Sequence, residues 1–333
     1  MYRNNDFIYE ATSKLEQLID IPMQVESNRN NYDALLTINN IQFIVETKST
    51  VRTSNQGFVL AQLEELIKNA NRPIVLIAEY ISKKATQELK ERGINYIDVA
   101  GNAYIKYRDL AIFVEGQKSI KKDKTNQSRA FQETGLKILF HLLNKPEHLQ
   151  DSYRKIAEQA DVSIGSVSNV MAELEELNYL LKTNDKRVLK NTTDLLERWV
   201  VDFNAVLRPR IFRKRMRFIE QDQLKNWRNL DLHTKKGSIL WGGEPGGALL
   251  TESLRPEQFT VFTDRELSEV ASKLRLIPNE DGKVEILQKF WKNDINDDQV
   301  APALLIYADL MNSGYGRNIE TAKKILENEL QHI

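Results

Sequence analysis

Two runs with strand character, YDALLTI (32–38) and IQFIVETK (41–48), are separated by only Asn39 and Asn40. A two-residue connection between antiparallel strands requires positive φ, which Asn tolerates. With that turn fixed, paired residues sum to 79. Ile38 then faces Ile41, Leu36 faces Phe43 and Ala34 faces Val45, giving one apolar face. The other face sets Asp33 opposite Glu46, with Lys48 two residues on and pointing the same way. Opposed carboxylates destabilise a sheet unless something neutralises them. Lys48 could do so, and so could a divalent cation. Two acids that hold Mg²⁺ beside a Lys that orients water are also the apparatus of phosphodiester hydrolysis.

The surrounding sequence predicts an α/β unit. Phe7 to Ile19 has helical spacing. PIVLIAEYI is a buried-strand run, and SKKATQELKERG is a helix with Ser82 as N-cap and Gly93 as stop. INYIDVAGNAYI and LAIFVEG add further strands. Asp33, a spacer and then Glu46-Thr47-Lys48 resembles the PD-(D/E)XK signature of restriction-endonuclease-like folds. The resemblance implies Asp33, Glu46 and Lys48 as catalytic residues, active or vestigial, with Asp33 and Glu46 holding Mg²⁺ if active. Gln62 would be the downstream polar residue, and Glu10 or Glu16 an accessory acid. Tyr32 stands where that family usually has Pro.

The polar stretch 118–129 (KSIKKDKTNQSR) is expected to be a linker that closes a first domain at 117. Residues 130–192 then predict helix, helix, helix and hairpin. ETGLKILFHLLN turns Leu136, Leu139, Leu142 and Leu143 inward. SYRKIAEQA is a short second helix. Ser163 caps a third, in which Ile164, Val167, Val170, Met171, Leu174 and Leu177 form one stripe. Its opposite side carries Gly165, Ser166, Ser168 and Asn169. Leu180–Lys182 and Val188–Lys190 frame a basic turn. This order is the winged helix-turn-helix pattern. It nominates Ser163, Ser166, Ser168 and Asn169 for the major groove of double-stranded DNA, and Arg154, Lys186 and Arg187 for its backbone. Two copies would read an inverted repeat, so a homodimer is expected.

Charge bears on that reading. Lys+Arg and Asp+Glu are both 47, so net charge names no partner. The distribution is uneven, with 16 acidic against 10 basic residues from Trp241 onward. Six cations crowd 208–217: Arg208, Arg210, Arg213, Lys214, Arg215 and Arg217. Lys118, Lys121, Lys122 and Lys124 form a second cluster. Residues 129–190 hold nine basic and nine acidic residues, so phosphate attraction is expected from the flanking clusters, Arg213, Lys214 and Arg215 above all. Residues 193–234 are therefore predicted to be a basic helical connector, and 235–333 an acidic mixed α/β domain.

The chain has no Cys and four His, which excludes disulfides and thiolate metal sites. The absence of a long apolar run or secretory signal predicts a cytoplasmic protein with no membrane partner. GGEPGG lacks the Lys and Ser/Thr of a phosphate-binding loop, so no nucleotide cofactor is expected. A packed C-terminal helical pair is expected to be tied by Asp309 and Arg317.

Taken in order, IDVAGNAYI, the helix–hairpin segment, WGGE, TVFTD and APALLIYADLMNSGYGRNIETA resemble the AbiEi-type antitoxins of type IV toxin–antitoxin (abortive infection) systems. The resemblance implies a DNA-binding transcriptional regulator that represses its own operon and opposes a nucleotidyltransferase toxin through its C-terminal domain. The competing expectation is a Mg-dependent nuclease targeted to DNA by the winged helix.

Overall fold

The computed structural model describes residues 6–27, 32–51, 56–117, 128–183, 186–232, 237–292 and 299–333. The Lys118–Lys124 cluster and the tip of the predicted wing, Asn184 and Asp185, lie outside them. The chain divides into two compact units, residues 1–124 and 125–333. No helix among the described residues is long and apolar enough to cross a membrane.

The first unit is a mixed sheet with helices. Its elements are α1 (Asp6–Ile19), β1 (Met23–Ser27), β2 (Ala34–Ile38), β3 (Ile41–Val51), α2 (Gln56–Asn69), β4 (Ile74–Ile81), α3 (Lys83–Glu91), β5 (Asn95–Asp98), β6 (Ala103–Tyr107) and β7 (Leu110–Val114). The seven strands lie in chain order. Only β3–β4 and β4–β5 pair in parallel, and α2 and α3 make those two crossovers. Asn39 and Asn40 have φ of 45° and 61°, the primed turn that suits a right-twisted hairpin. The β2–β3 register is the one the turn dictates, Ile38 with Ile41 through Ala34 with Val45. α1 buries Phe7, Ile8, Ala11 and Leu15 on the face that holds Leu36, Phe43, Val45, Val75 and Ile97. Ser82 caps α3, accepting from Ala85 N.

The second unit is an α/β region. It opens with α4 (Glu133–Asn144), α5 (Tyr153–Ala160), α6 (Ile164–Glu176) and the hairpin β8 (Leu180–Lys182) and β9 (Arg187–Leu189). Next come α7 (Thr192–Asp202), a π-type turn at Phe203–Leu207, α8 (Arg208–Ile211), β10 (Phe212–Phe218), α9 (Gln221–Lys225), β11 (Ile239–Gly242) and α10 (Gly243–Thr251). β12 (Phe259–Thr263), α11 (Leu267–Leu274), β13 (Leu276–Pro278), β14 (Val284–Gln288), α12 (Ala303–Ser313) and α13 (Gly316–Glu329) complete it. Five strands form one sheet in the order β11-β12-β14-β10-β13. α12 is apolar nearly all round and buries Leu304 through Ala308, Leu310 and Met311, as a central helix must.

One expectation needs correction. The 208–217 cluster is not helical throughout. Its second half is β10, hydrogen-bonded to β13 and β14, because Met216 and Phe218 alternate into the core. The 193–234 segment thus supplies a strand to the sheet formed by 239–288. The Gly-rich stretch GGEPGG is helical from its second glycine, with Gly243, Gly246 and Gly247 in α10. A Cβ on Gly246 would meet Ile306 Cδ1 at 2.6 Å, and one on Gly247 would meet Leu310 Cδ1 at 2.8 Å. The glycines let α10 approach α12 closely.

Candidate nucleic-acid interface

α5 and α6 are joined by a turn that the sequence encodes residue by residue. Ser152 caps α5, accepting from Lys155 N at 3.3 Å. Asp161 takes the left-handed conformation, φ 54°, and ends the helix. Ser163 then caps α6, accepting from Ser166 N at 3.1 Å, with the two hydroxyls 2.8 Å apart. Val167, Val170, Met171 and Leu174 are buried. The opposite face therefore exposes Ser163, Gly165, Ser168 and Asn169, with Ser166 half-buried. A Cβ at Gly165 would meet nothing nearer than Ser163 Oγ at 3.9 Å, so this first turn offers open backbone.

Ile164 departs from its expected place. It is 47% exposed rather than part of the buried stripe. It is the first helical residue, and the buried stripe begins only at Val167. An exposed aliphatic side chain thus stands among the polar residues of the α6 N-terminus.

The hairpin pairs Leu180 with Leu189 and Lys182 with Arg187. Thr183 N and Oγ1 both donate to Lys186 O, which tightens the described part of its turn. Lys186 is exposed. Arg187 is engaged in holding the hairpin down. Its Nη2 donates to Asp151 O at 2.6 Å and its guanidinium sits 5.2 Å from the Tyr153 ring centroid. Its backbone exchanges hydrogen bonds with the Gln150 side chain. Arg187 therefore brings the hairpin beside the start of α5, where Arg154 is exposed.

The cation cluster is a different matter. Arg208 donates to Asp309 and Glu285, both at 2.7 Å, and Arg215 also binds Glu285. Arg210 binds Glu133 at 2.6 Å, and Arg213 donates to the Arg265 carbonyl at 2.5 Å. Lys214 is exposed. Carboxylates far along the chain pair with three of the six cations, Arg208, Arg210 and Arg215. Burial opposes the charge on Arg208, but Asp309 and Glu285 outweigh it and hold the guanidinium above its ordinary pKa. Burial would raise Glu285, yet Arg208 and Arg215 hold it below the usual carboxylate range. For Asp309 burial dominates and pushes the carboxyl up.

In the first unit Asp33 is tied to the neighbouring strand. Its Oδ2 accepts from Thr47 N at 2.8 Å and Thr47 Oγ1 at 2.6 Å. Lys48 Nζ lies 3.1 Å from Glu46 Oε1, so the Lys neutralises the acid beside it. Gln62 is half-buried on α2. Glu10 and Glu16 belong to α1, which packs on the Val45 face, whereas Glu46 and Lys48 alternate onto the other. Among the described residues no three His, Asp or Glu side chains are grouped to hold a metal ion. Asp33 and Glu46 are two carboxylates, and Mg²⁺ is commonly held by one or two with water completing its shell.

The remaining motifs form hydrogen-bonded networks within the fold. Asp98 accepts from Asn102 N at 2.9 Å and Nδ2 at 2.8 Å, and Asn102 bonds both polar backbone atoms of Gln117. Burial raises the Asp98 pKa. Asp309 pairs with Arg208 and not with Arg317, because α12 turns it toward α8. Arg317 instead binds Glu244 at 3.1 Å and Glu257 at 2.7 Å. Buried Glu244 also accepts from Asn318 Nδ2 and from the backbone N–H groups of Glu257 and Gln258.

Residues 187–331, from the second hairpin strand into the last residues of the chain, match a family model described as "Transcriptional regulator, AbiEi antitoxin, Type IV TA system". Comparison with curated proteins and with solved structures gave no match.

Proposed function

We infer, from the membership of residues 187–331 in the AbiEi antitoxin family, that this chain is a DNA-binding transcriptional regulator and the antitoxin of a type IV toxin–antitoxin system. In this reading α4–α6 and the β8–β9 hairpin are a winged helix-turn-helix. α6 enters the major groove, and Ser163, Ser166, Ser168 and Asn169 meet base edges. Lys186 and Arg154 meet the flanking phosphates, and Arg187 holds the wing in place to let them do so. The chain represses its own operon at an inverted repeat as a dimer in the cytoplasm, and opposes a nucleotidyltransferase toxin.

The observation that carries the DNA-binding part is the α6 N-terminus. It is exposed, polar and without bulky side chains except Ile164, beside a hairpin strapped to α5 by Arg187. Gel retardation of the DNA upstream of the chain's own gene tests it. Retention of that fragment over a scrambled duplex, lost in Asn169→Ala, is the expected result. Equal retention of both duplexes removes α6 from base readout. Coexpression with a nucleotidyltransferase encoded beside the gene tests the antitoxin part, with restored growth as the expected result.

A second reading rests on the Asp33–Glu46–Lys48 arrangement, in which the first unit is a nuclease. Supercoiled plasmid incubated with Mg²⁺ or Mn²⁺ separates the readings. Cleavage that disappears in Glu46→Ala establishes the enzyme, and intact plasmid leaves the first unit a non-catalytic domain.

A further inference from the structure

A pocket of about 40 Å³ opens between α4, the end of α5 and residues 290–292, which follow β14. Lys137, Lys145 and Lys292 line it with His141 and His148, and no Asp or Glu does. The two imidazoles stack with centroids 4.8 Å apart, and Asp151 Oδ2 fixes His148 Nδ1 at 2.6 Å. His141 Nε2 and Trp291 Nε1, on two of the residues that line the pocket, are buried without a hydrogen-bond partner. Trp291 is only 8% exposed, and an indole N–H can only donate. A buried donor without an acceptor is rare in a folded protein and asks for a ligand or water. Lys137 and Lys292 have carboxylate partners, Glu133 at 3.2 Å and Asp161 at 2.9 Å. Lys145 makes no ion pair among the described residues.

We propose that this pocket binds the phosphoryl group of a small phosphorylated molecule. Trp291 Nε1 and Lys145 donate to its oxygens, and Lys137 and Lys292 balance the second negative charge. The volume suits one compact tetrahedral group, and Lys145 with an unpartnered N–H, beside two lysines that can exchange their carboxylates for the anion, suits a phosphoryl group better than a single carboxylate. The site also has a route to α6. Lys292 holds Asp161, the left-handed residue that turns α5 into α6. An anion that draws Lys292 inward loosens that tie, and so changes operator affinity. This last step rests on the DNA-binding reading above, whereas the anion site itself does not.

The indole ¹⁵N–H resonance of Trp291, assigned with Trp291→Phe, reports occupancy in the full-length chain. Inorganic phosphate, ribose 5-phosphate and a random-sequence duplex are titrated separately at constant ionic strength. A saturable shift with either small phosphate, weakened about tenfold in Lys145→Ala, supports the site. No shift up to about 20 mM, or an equal shift in Lys145→Ala, overturns it. A shift with the duplex alone overturns it too, since the pocket then meets DNA phosphate. Operator retention is measured with and without the small phosphate that binds. Changed retention supports the coupling, and unchanged retention overturns the coupling while the site stands. Failure to bind any DNA, with the shift intact, overturns the regulator reading and not the site.

Discussion

Arg208 Nε donates to Asp309 Oδ1 at 2.7 Å, a bond between residues 101 positions apart that joins the approach to β10 to the centre of α12. Glu285 on β14 completes the arrangement through the other side of the guanidinium. Removing one partner of a buried pair leaves an uncompensated charge, which costs about 3–5 kcal/mol. Glu285 still compensates Arg208 when Asp309 is removed, so Asp309→Ala is expected to destabilise residues 125–333 by less than that, about 1–3 kcal/mol. The double variant Arg208→Met, Asp309→Leu should recover much of the loss, because it buries apolar groups instead. All four tryptophans lie between 199 and 291, so guanidinium unfolding followed by their fluorescence reports this unit. Equal stability of Asp309→Ala and the unaltered chain would remove the pair from the core.

The same network decides which cations are left for DNA. Arg213 donates one N–H to the Arg265 carbonyl and Arg215 shares Glu285 with Arg208, so both are held on the protein side. Arg213→Ala should change operator affinity and its salt dependence little. Lys186→Ala and Arg154→Ala should each weaken specific and non-specific binding alike and lower the salt slope by about one unit. Gel shifts at several salt concentrations measure both. A lowered slope for Arg213→Ala would return that residue to the phosphate contacts.

The β2–β3 hairpin was legible because every determinant is local. Two asparagines set the turn, and alternation of apolar residues sets the register. The helix caps Ser82, Ser152 and Ser163 were legible for the same reason. The 208–217 segment was not. Its cations are adjacent in sequence, but the carboxylates that pair with three of them, Glu133, Glu285 and Asp309, lie about 70–100 positions away. Local charge density cannot see such partners. Arg317 failed likewise. Asp309 is nearer to it along the chain, but the fold gives it Glu244 and Glu257. Nor could periodicity place Ile164, since a helix's first residue can point past the layer that covers the rest of its stripe. The pocket beside His141 left no sequence signal, because residues 137–148 and 290–292 meet only in the fold.

His141 gives the second unit an acid limit. Burial, helped by His148, lowers its pKa from 6.5 to about 4. Between those values the unfolded chain binds a proton that the folded chain does not. Stability is therefore full above about pH 6.5 and falls as the pH drops toward 4. The ring is only half-buried, so the loss is about 1–2 kcal/mol by pH 4 after solvent screening. His141→Phe should flatten this part of the profile. Parallel pH profiles of the unfolding midpoint for the two chains would remove His141 as the titrating group.

Ile164 supplies the sharpest test of how α6 is used. It is half exposed at the first helical position, next to Ser163 and three residues from the buried Val167. Its removal from the surface leaves no cavity, so Ile164→Ala should shift stability by less than about 0.5 kcal/mol. In a major groove the same side chain would cover a thymine methyl, and losing a good base contact costs about 1–3 kcal/mol of discrimination. The expected result is specific binding weakened by about tenfold with non-specific binding unchanged. Operator variants locate the contact, because replacing the thymine it covers should weaken the unaltered chain and leave Ile164→Ala unmoved. Weakening of both kinds of DNA by the same factor would place Ile164 at the backbone. No change on either would turn the α6 N-terminus away from the duplex.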